Sequence, residues 1–283
     1  MPPGIPRFYL PLTAVRIDCL DKKNNVLSVA SGFILEEADG FYLYTCWHVV
    51  TGYDPDDLKF VDPPGRVTLV LHFQEVERQA NAEIIRGHQS VRLDLYDDST
   101  VPRTPLWLQN FRHRVQPDLN SINIRVPYWN DLIKLRLPEK LNISKAQVIS
   151  ADAISHQFPT VGEKVYLVGY PYGYSAMGMK QPTPLVLTRF VAAEHIEGRI
   201  ASGLLDGIGA AGMSGCPVFV EKDGLCFLSS VYTGSIYPDY FRAQNNPVTA
   251  LGKITNLALV VQPNHLMELV RHDDTKVTAD LPE

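Results

Sequence analysis

A long succession of short runs, rich in β-branched and aromatic residues and broken by turn signals, is the feature that most limits the fold. Thr13–Cys19, Ser28–Leu35, Phe41–Thr45, Val67–His72, Leu132–Leu137, Lys164–Gly169, Leu185–Ala193, Cys216–Glu221 and Cys226–Thr233 all have this character. Runs of this length and composition read as strands. Between them lie Asp-Lys-Lys-Asn-Asn at 21–25, Ala-Asp-Gly at 38–40 and Lys-Asp-Gly at 222–224. Asp-Gly between apolar runs signals a hairpin, because both turn positions accept positive φ. Many short strands with few helical patterns imply an all-β barrel or sandwich architecture. One helix is predicted, Asn264–His272. Asn264 is its N-cap, Leu266, Leu269 and Val270 share a face, and Arg271 and His272 suit the dipole in the last turn. The region 73–125 has many charges and few clean alternations, and long loops are expected there. Pro138–Lys145 reads as a linker between two strand-rich halves.

Composition removes several function classes. The 283 residues carry a formal net charge of -5 and no long Lys/Arg run, so no nucleic-acid footprint appears. The densest basic cluster, Arg112-His113-Arg114, reads as a solvated loop. The start, MPPGIPRFYLPLTAV, lacks the pattern of a signal peptide, and no window approaches the roughly 18 apolar residues of a membrane span. The four cysteines form no Cys-x-x-Cys pair. These features predict a cytoplasmic protein without a membrane partner.

Three motifs carry chemistry. In Gly212-Met213-Ser214-Gly215-Cys216-Pro217, a glycine two residues before a serine permits a tight backbone bend. In that bend the N–H groups of Gly212 and Ser214 can converge on one point, as an oxyanion hole requires. In Tyr44-Thr45-Cys46-Trp47-His48-Val49-Val50, a histidine stands where an apolar strand ends in a short turn. In Asn130-Asp131-Leu132-Ile133-Lys134-Leu135-Arg136-Leu137, alternation places Asp131 in phase with Ile133, Leu135 and Leu137, and Lys134 and Arg136 on the other face. A carboxylate on a buried face needs a partner. Asp94 and the pair Asp97-Asp98 compete with Asp131 as the acid, but they sit in a charged stretch. Each motif alone has an ordinary structural explanation; their order and contexts distinguish them.

"ASGFIL", "YLYTCWHVV", "NDLIKLRL", "VYLVGYP", "GMSGCPVF" and "SSVYTG" follow one another as the landmarks of the trypsin/chymotrypsin superfamily do. The chain most resembles the intracellular bacterial trypsin-like peptidases and the Deg/HtrA protease domain, over roughly residues 13–262, with 73–125 unmatched. An α/β-hydrolase would run Ser, Asp, His through Gly-x-Ser-x-Gly, and position 216 is Cys. The resemblance implies two six-stranded antiparallel β-barrels, at 8–138 and 146–262, with a closing helix and tail at 263–283. It implies a serine endopeptidase with His48 as base, Asp131 as its orienting acid, Ser214 as nucleophile, and Gly212 and Ser214 as oxyanion donors. Thr233 matches a hydroxyl residue that supports the acid. A polypeptide is the implied substrate, and no cofactor or metal is needed.

The substrate pocket implied by the resemblance has Ile208 at its base and Gly234 and Ser235 on its far wall, with Tyr232 as a polar tip. An Ile floor argues against a basic P1 residue; Asp206 turned inward would reverse that. Met213 stands where the zymogen-activated branch has an Asp, so an N-terminal amine has no carboxylate to meet. No PDZ-like module follows. Cys216 reads as a small buried residue. If its strand is regular, Cys46 shares the face of His48, but no third and fourth metal ligand cluster nearby. Two rival readings remain: a catalytically silent scaffold, and an effector gated by an activating protein partner, for example in bacterial anti-phage defence.

Overall fold

The computed structural model describes residues 4–53, 63, 65–79, 82–101, 103–117, 123–141, 143–155, 157–176, 182–197, 200–207, 209–236 and 257–261. The first elements are β1 (Ile5–Pro6), β2 (Ala14–Leu20), β3 (Val26–Glu37), β4 (Gly40–Thr45) and α1 (Trp47–Thr51). Then come β5 (Thr68–Gln79), β6 (Ala82–Asp94), β7 (Tyr96–Asp97), β8 (Thr104–Pro105), β9 (Leu108–Pro117) and β10 (Asn123–Arg136). The rest are β11 (Val148–Ile149), β12 (Lys164–Gly169), β13 (Leu185–Glu197), β14 (Ile200–Leu205), β15 (Pro217–Lys222), β16 (Leu225–Ile236) and β17 (Leu257–Val261). The architecture is all-β, as expected. The helix expected at Asn264–His272 lies outside the described residues. Among the described residues no helix is long and apolar enough to cross a membrane.

Two large sheets form. One runs β6-β5-β2-β3-β4-β10-β9, with β11 against β3. The other runs β1-β16-β15-β12-β13-β14-β17, and β17 pairs back onto β16. That pairing closes six antiparallel strands, β12–β17, into a ring. The β15–β16 hairpin turns on Asp223 and Gly224, both at positive φ, as the Asp-Gly signal predicts.

The first sheet has eight strands rather than six, and 73–125 is where sequence and structure part. Strands replace the expected long loops. β5 and β6 pair from Thr68↔Asp94 to Gln79↔Ala82, with one bulge between Glu75 and Val76. β9 pairs with β10 from Asn123↔Pro117 to Lys134↔Leu108. On β6 the outward residues His88, Ser90, Arg92 and Asp94 are exposed, while Gln89 shares the inward side with Val91 and Leu93. A polar residue on the inner face dilutes the apolar alternation, although the backbone ladder forms regardless.

Among the described residues, three apolar clusters form the core. Ile17, Leu43, Trp47, Leu71 and Leu135 lie in the cluster of the first sheet. Val165, Leu205, Met213, Val218 and Tyr232 lie in that of the second. Between the sheets, Phe33, Tyr44 and Leu132 meet Tyr166, Phe219 and Leu228. This middle cluster buries the face of β10 on which Lys134 sits, so Lys134 is not outward like Arg136. Its ammonium lies 2.9 Å from the Glu37 carboxylate and 4.6 Å from the Tyr42 ring centre. After β10, Leu141 and Ile143 pack on the first cluster, and the Gln147 side chain donates to the Gln74 carbonyl at 2.7 Å. The sheets also exchange edge strands: β1 pairs with β16, and β11 pairs in parallel with β3.

Candidate active site

His48 is presented by a five-residue helix, which the sequence reading took for a turn. β4 ends at Thr45, Cys46 caps α1, and Gly52 closes it at φ +87, donating its N–H to the His48 carbonyl at 2.8 Å. Trp47, Val49 and Val50 insert into the first cluster and leave His48 half-buried at the surface. Cys46 and His48 therefore do not share a strand face.

Asp131 sits in β10 at a register shift between Trp129 and Ile133, just before Ile133 pairs with Thr45 of β4. An irregularity of this kind re-aims a side chain. The carboxylate accepts from the His48 backbone N–H at 3.0 Å, and its oxygens lie 2.8 and 2.9 Å from His48 Nδ1. A neutral ring donating through Nδ1 keeps Nε2 as an acceptor. The competing acids are engaged elsewhere. Asp94 is exposed beside Thr68, Asp97 accepts the Ser99 amide, and Asp98 pairs with Arg103.

The turn around Ser214 is held by its carbonyls. Ala211 O accepts from Tyr172 N–H, Gly212 O from Ser31 Oγ at 2.7 Å, Met213 O from Cys216 N–H at 2.9 Å, and Ser214 O from Ser31 N–H at 3.0 Å. A trans peptide points its N–H opposite to its C=O. Pinning Ala211 O and Met213 O therefore aims the next amides, those of Gly212 and Ser214, the other way. Neither amide has a hydrogen-bond partner among the described residues, whereas Met213 N–H donates to Ala210 O at 3.1 Å. Gly212 is at φ +89 and Gly215 at φ +85, conformations that favour glycine. The described part of this Gly- and Ala-rich turn is thus ordered by hydrogen bonds within the chain.

The same turn lies against the start of α1. A Cβ on Gly215 would stand 2.3 Å from Thr45 Oγ1 and 2.4 Å from the Ser31 carbonyl. Gly215 N–H donates to Tyr232 O at 2.8 Å, and the Cys46 thiol reaches the same carbonyl at 3.5 Å. Ser214 is half-buried. Close backbone approach thus sets the serine turn beside the segment that leads into His48. Sequence reasoning missed Ser31 and Thr45. Their signal is a polar residue inside an apolar strand; both are wholly buried.

Met213 packs into the apolar cluster of the second sheet. Cys216 is buried, and burial pushes its thiol far above the ordinary range. The structure supplies Asp131 as a third group beside Cys46 and His48, with ligand atoms all within 4.8 Å. Burial, then the Asp131 carboxylate, push the Cys46 thiol well above its usual range.

The pocket residues are only partly assembled. Ile208 lies outside the described residues. Tyr232 and Thr233 are buried on β16. Gly234 is half-buried at a bulge, and Ser235 pairs with Ala258 of β17. Asp206 is exposed, and its carboxylate accepts the Phe190 amide at 2.7 Å. A serine–histidine–aspartate contact elsewhere joins Ser90, His72 and Asp18 at 2.9 and 3.0 Å. Its aspartate already pairs with Arg16, and Ser90 sits inside a paired strand with no turn to aim amides at an oxyanion.

No protein-family model matches the chain, and no curated protein matches it. Among solved structures it is similar to the thermostable serine protease AL20 from an extremophilic microorganism, with 10% identity and a TM-score of 0.47, over 94% of this chain and 99% of that one. It is also similar to Rv3671c from M. tuberculosis H37Rv, in the inactive form of a serine-to-alanine mutant, with 12% identity and a TM-score of 0.44, over 94% of this chain and 88% of that one.

Proposed function

We propose that this chain is a serine endopeptidase of the trypsin-like type, cleaving polypeptides through Ser214, His48 and Asp131. The observation that carries the reading is the carbonyl-pinned turn 211–214, with the Gly212 and Ser214 amides left over, packed against Thr45 near the His48–Asp131 pair. In this reading His48 Nε2 takes the Ser214 proton as Oγ attacks the scissile carbonyl carbon. The two amides hold the oxyanion. The C–N bond breaks as His48 returns the proton to the leaving amine, and water then hydrolyses the acyl-enzyme by the same steps. Asp131 holds the ring tautomer, and Thr233 supports it. The substrate lies between an N-terminal unit, 8–138, and a second unit, 146–262.

The P1 pocket, with Ile208, Tyr232, Gly234 and Ser235, takes an uncharged side chain, because Asp206 is spent on the Phe190 amide. Four free, buried cysteines fit a reducing compartment, the cytoplasm. A fluorophosphonate probe tests the reading. It should label wild type at Ser214, and Ser214→Ala should lose both labelling and peptide turnover, by about 10⁴-fold. A folded wild type that neither labels nor cleaves would favour the silent scaffold.

A further inference from the structure

We infer that Ser31 is a positioning residue that sets the oxyanion hole through its hydroxyl, by clamping the Gly212 carbonyl and the Tyr170 amide at once. The inference rests on the peptidase reading above. Ser31 lies inside β3, paired across to Arg16 of β2, and is wholly buried. A hydroxyl there is costly unless bonded. Its Oγ donates to Gly212 O at 2.7 Å and accepts from Tyr170 N–H at 3.0 Å. Its N–H donates to Ser214 O at 3.0 Å, and its carbonyl accepts from Thr45 Oγ1 at 2.8 Å. One residue of the first sheet thereby touches the serine turn twice, the residue two before α1, and the chain leaving β12.

The backbone bonds would survive any side chain at position 31. The hydroxyl bonds would not, and they act on the aim of the amides by two routes. The first is direct, since the Gly212 carbonyl belongs to the peptide between the two oxyanion donors. The second runs through Tyr170. That residue leads into a tight turn in which Tyr172, at φ +54, donates its N–H to Ala211 O. The Ala211 carbonyl fixes the direction of Gly212 N–H. A non-glycine residue held in the left-handed region persists only where its surroundings enforce it. A Cβ on Gly169 would stand 2.8 Å from Ser31 Oγ, so the hydroxyl fills its site without slack. Without Oγ, a buried carbonyl and a buried amide lose their partner together, and the peptide planes of the turn are released.

Steady-state kinetics with a chromogenic peptide, together with inhibition by a peptide aldehyde, tests this. The aldehyde forms a hemiacetal on the serine whose oxygen enters the hole. Loss of one oxyanion donor costs roughly 10²–10³ in kcat, so mis-aiming by Ser31→Ala should cost about 10- to 100-fold. KM should stay within about twofold, since the hole acts on the transition state rather than on bound substrate. Aldehyde affinity should weaken in step with kcat. Ser31→Cys keeps a donor at the same position, though a larger and weaker one, and should fall between the two. Unchanged kcat, or lost kcat with unchanged aldehyde affinity, would overturn the inference. If Ser31→Ala does not fold, Ser31→Cys decides by the same criterion. Wild type and Ser214→Ala hydrolysing alike would sink the peptidase reading instead.

Discussion

Gly215 offers a direct measure of how closely the serine turn must approach the histidine helix. It adopts φ +85, and an added Cβ would meet Ser31 O at 2.4 Å, Thr45 Oγ1 at 2.3 Å and Thr45 Cα at 3.0 Å. Ordinary contact begins at 3.4 Å, and two of these three atoms are backbone or Cα, so a flexible side chain cannot absorb the clash. Gly215→Ala must therefore move the turn away from Thr45 by about 1 Å. A displacement of that size costs about 10²-fold in rate. The left-handed backbone adds about 1–2 kcal/mol of strain. Gly224→Ala separates the two effects, because Gly224 has φ +79 and nothing within 4 Å of its added Cβ. Urea unfolding and kcat/KM on one peptide substrate provide the assay. Gly224→Ala should lose about 1–2 kcal/mol of stability and no activity, whereas Gly215→Ala should lose at least as much stability and about 10²-fold in kcat/KM. Should Gly215→Ala keep wild-type kcat/KM, the turn's contact with Thr45 would not be what places Ser214.

The remaining expectations concern the histidine. Asp131→Asn puts an amide NH2 donor in place of one carboxylate oxygen, which favours the wrong ring tautomer, and should lower kcat about 10⁴-fold while the fold survives; Asp94→Asn, exposed beside Thr68, should change little, and the reverse ranking would move the site. His48 accepts a proton only when neutral, so kcat/KM should rise with pH through one ionisation and then level. A rate flat from about pH 5 to 8 would remove His48 as the base.

What could be read from the chain follows the range of the forces involved. Asp223-Gly224 was legible because the turn is made by those two residues alone. Asp131 stood out because the alternation after it needs only one strand. The helix of His48 did not, since five residues cannot display a helical period. Lys134 looked outward because nothing local reveals that a second sheet covers that face of β10. The role of Ser31 was hidden for the same reason: its hydroxyl partners lie 139 and 181 positions away. The hairpin β5–β6 was lost because ladder pairing holds it together, and ladder pairing leaves no trace in side-chain polarity.

The exchange of edge strands bears on the order of events during synthesis. Ile5 pairs with Cys226, so this pairing waits for a segment made much later along the chain. Val148, between the halves, returns to Ile34. Contacts between distant parts of a chain close slowly, because loop entropy is lost before they reward it. Each sheet takes one short strand from the other half of the sequence. The serine turn borrows Ser31 from the first sheet in the same way, so a nascent chain carries the parts of the site without the assembly. The packing of the serine turn beside the histidine helix therefore first exists when both halves have been made and have met.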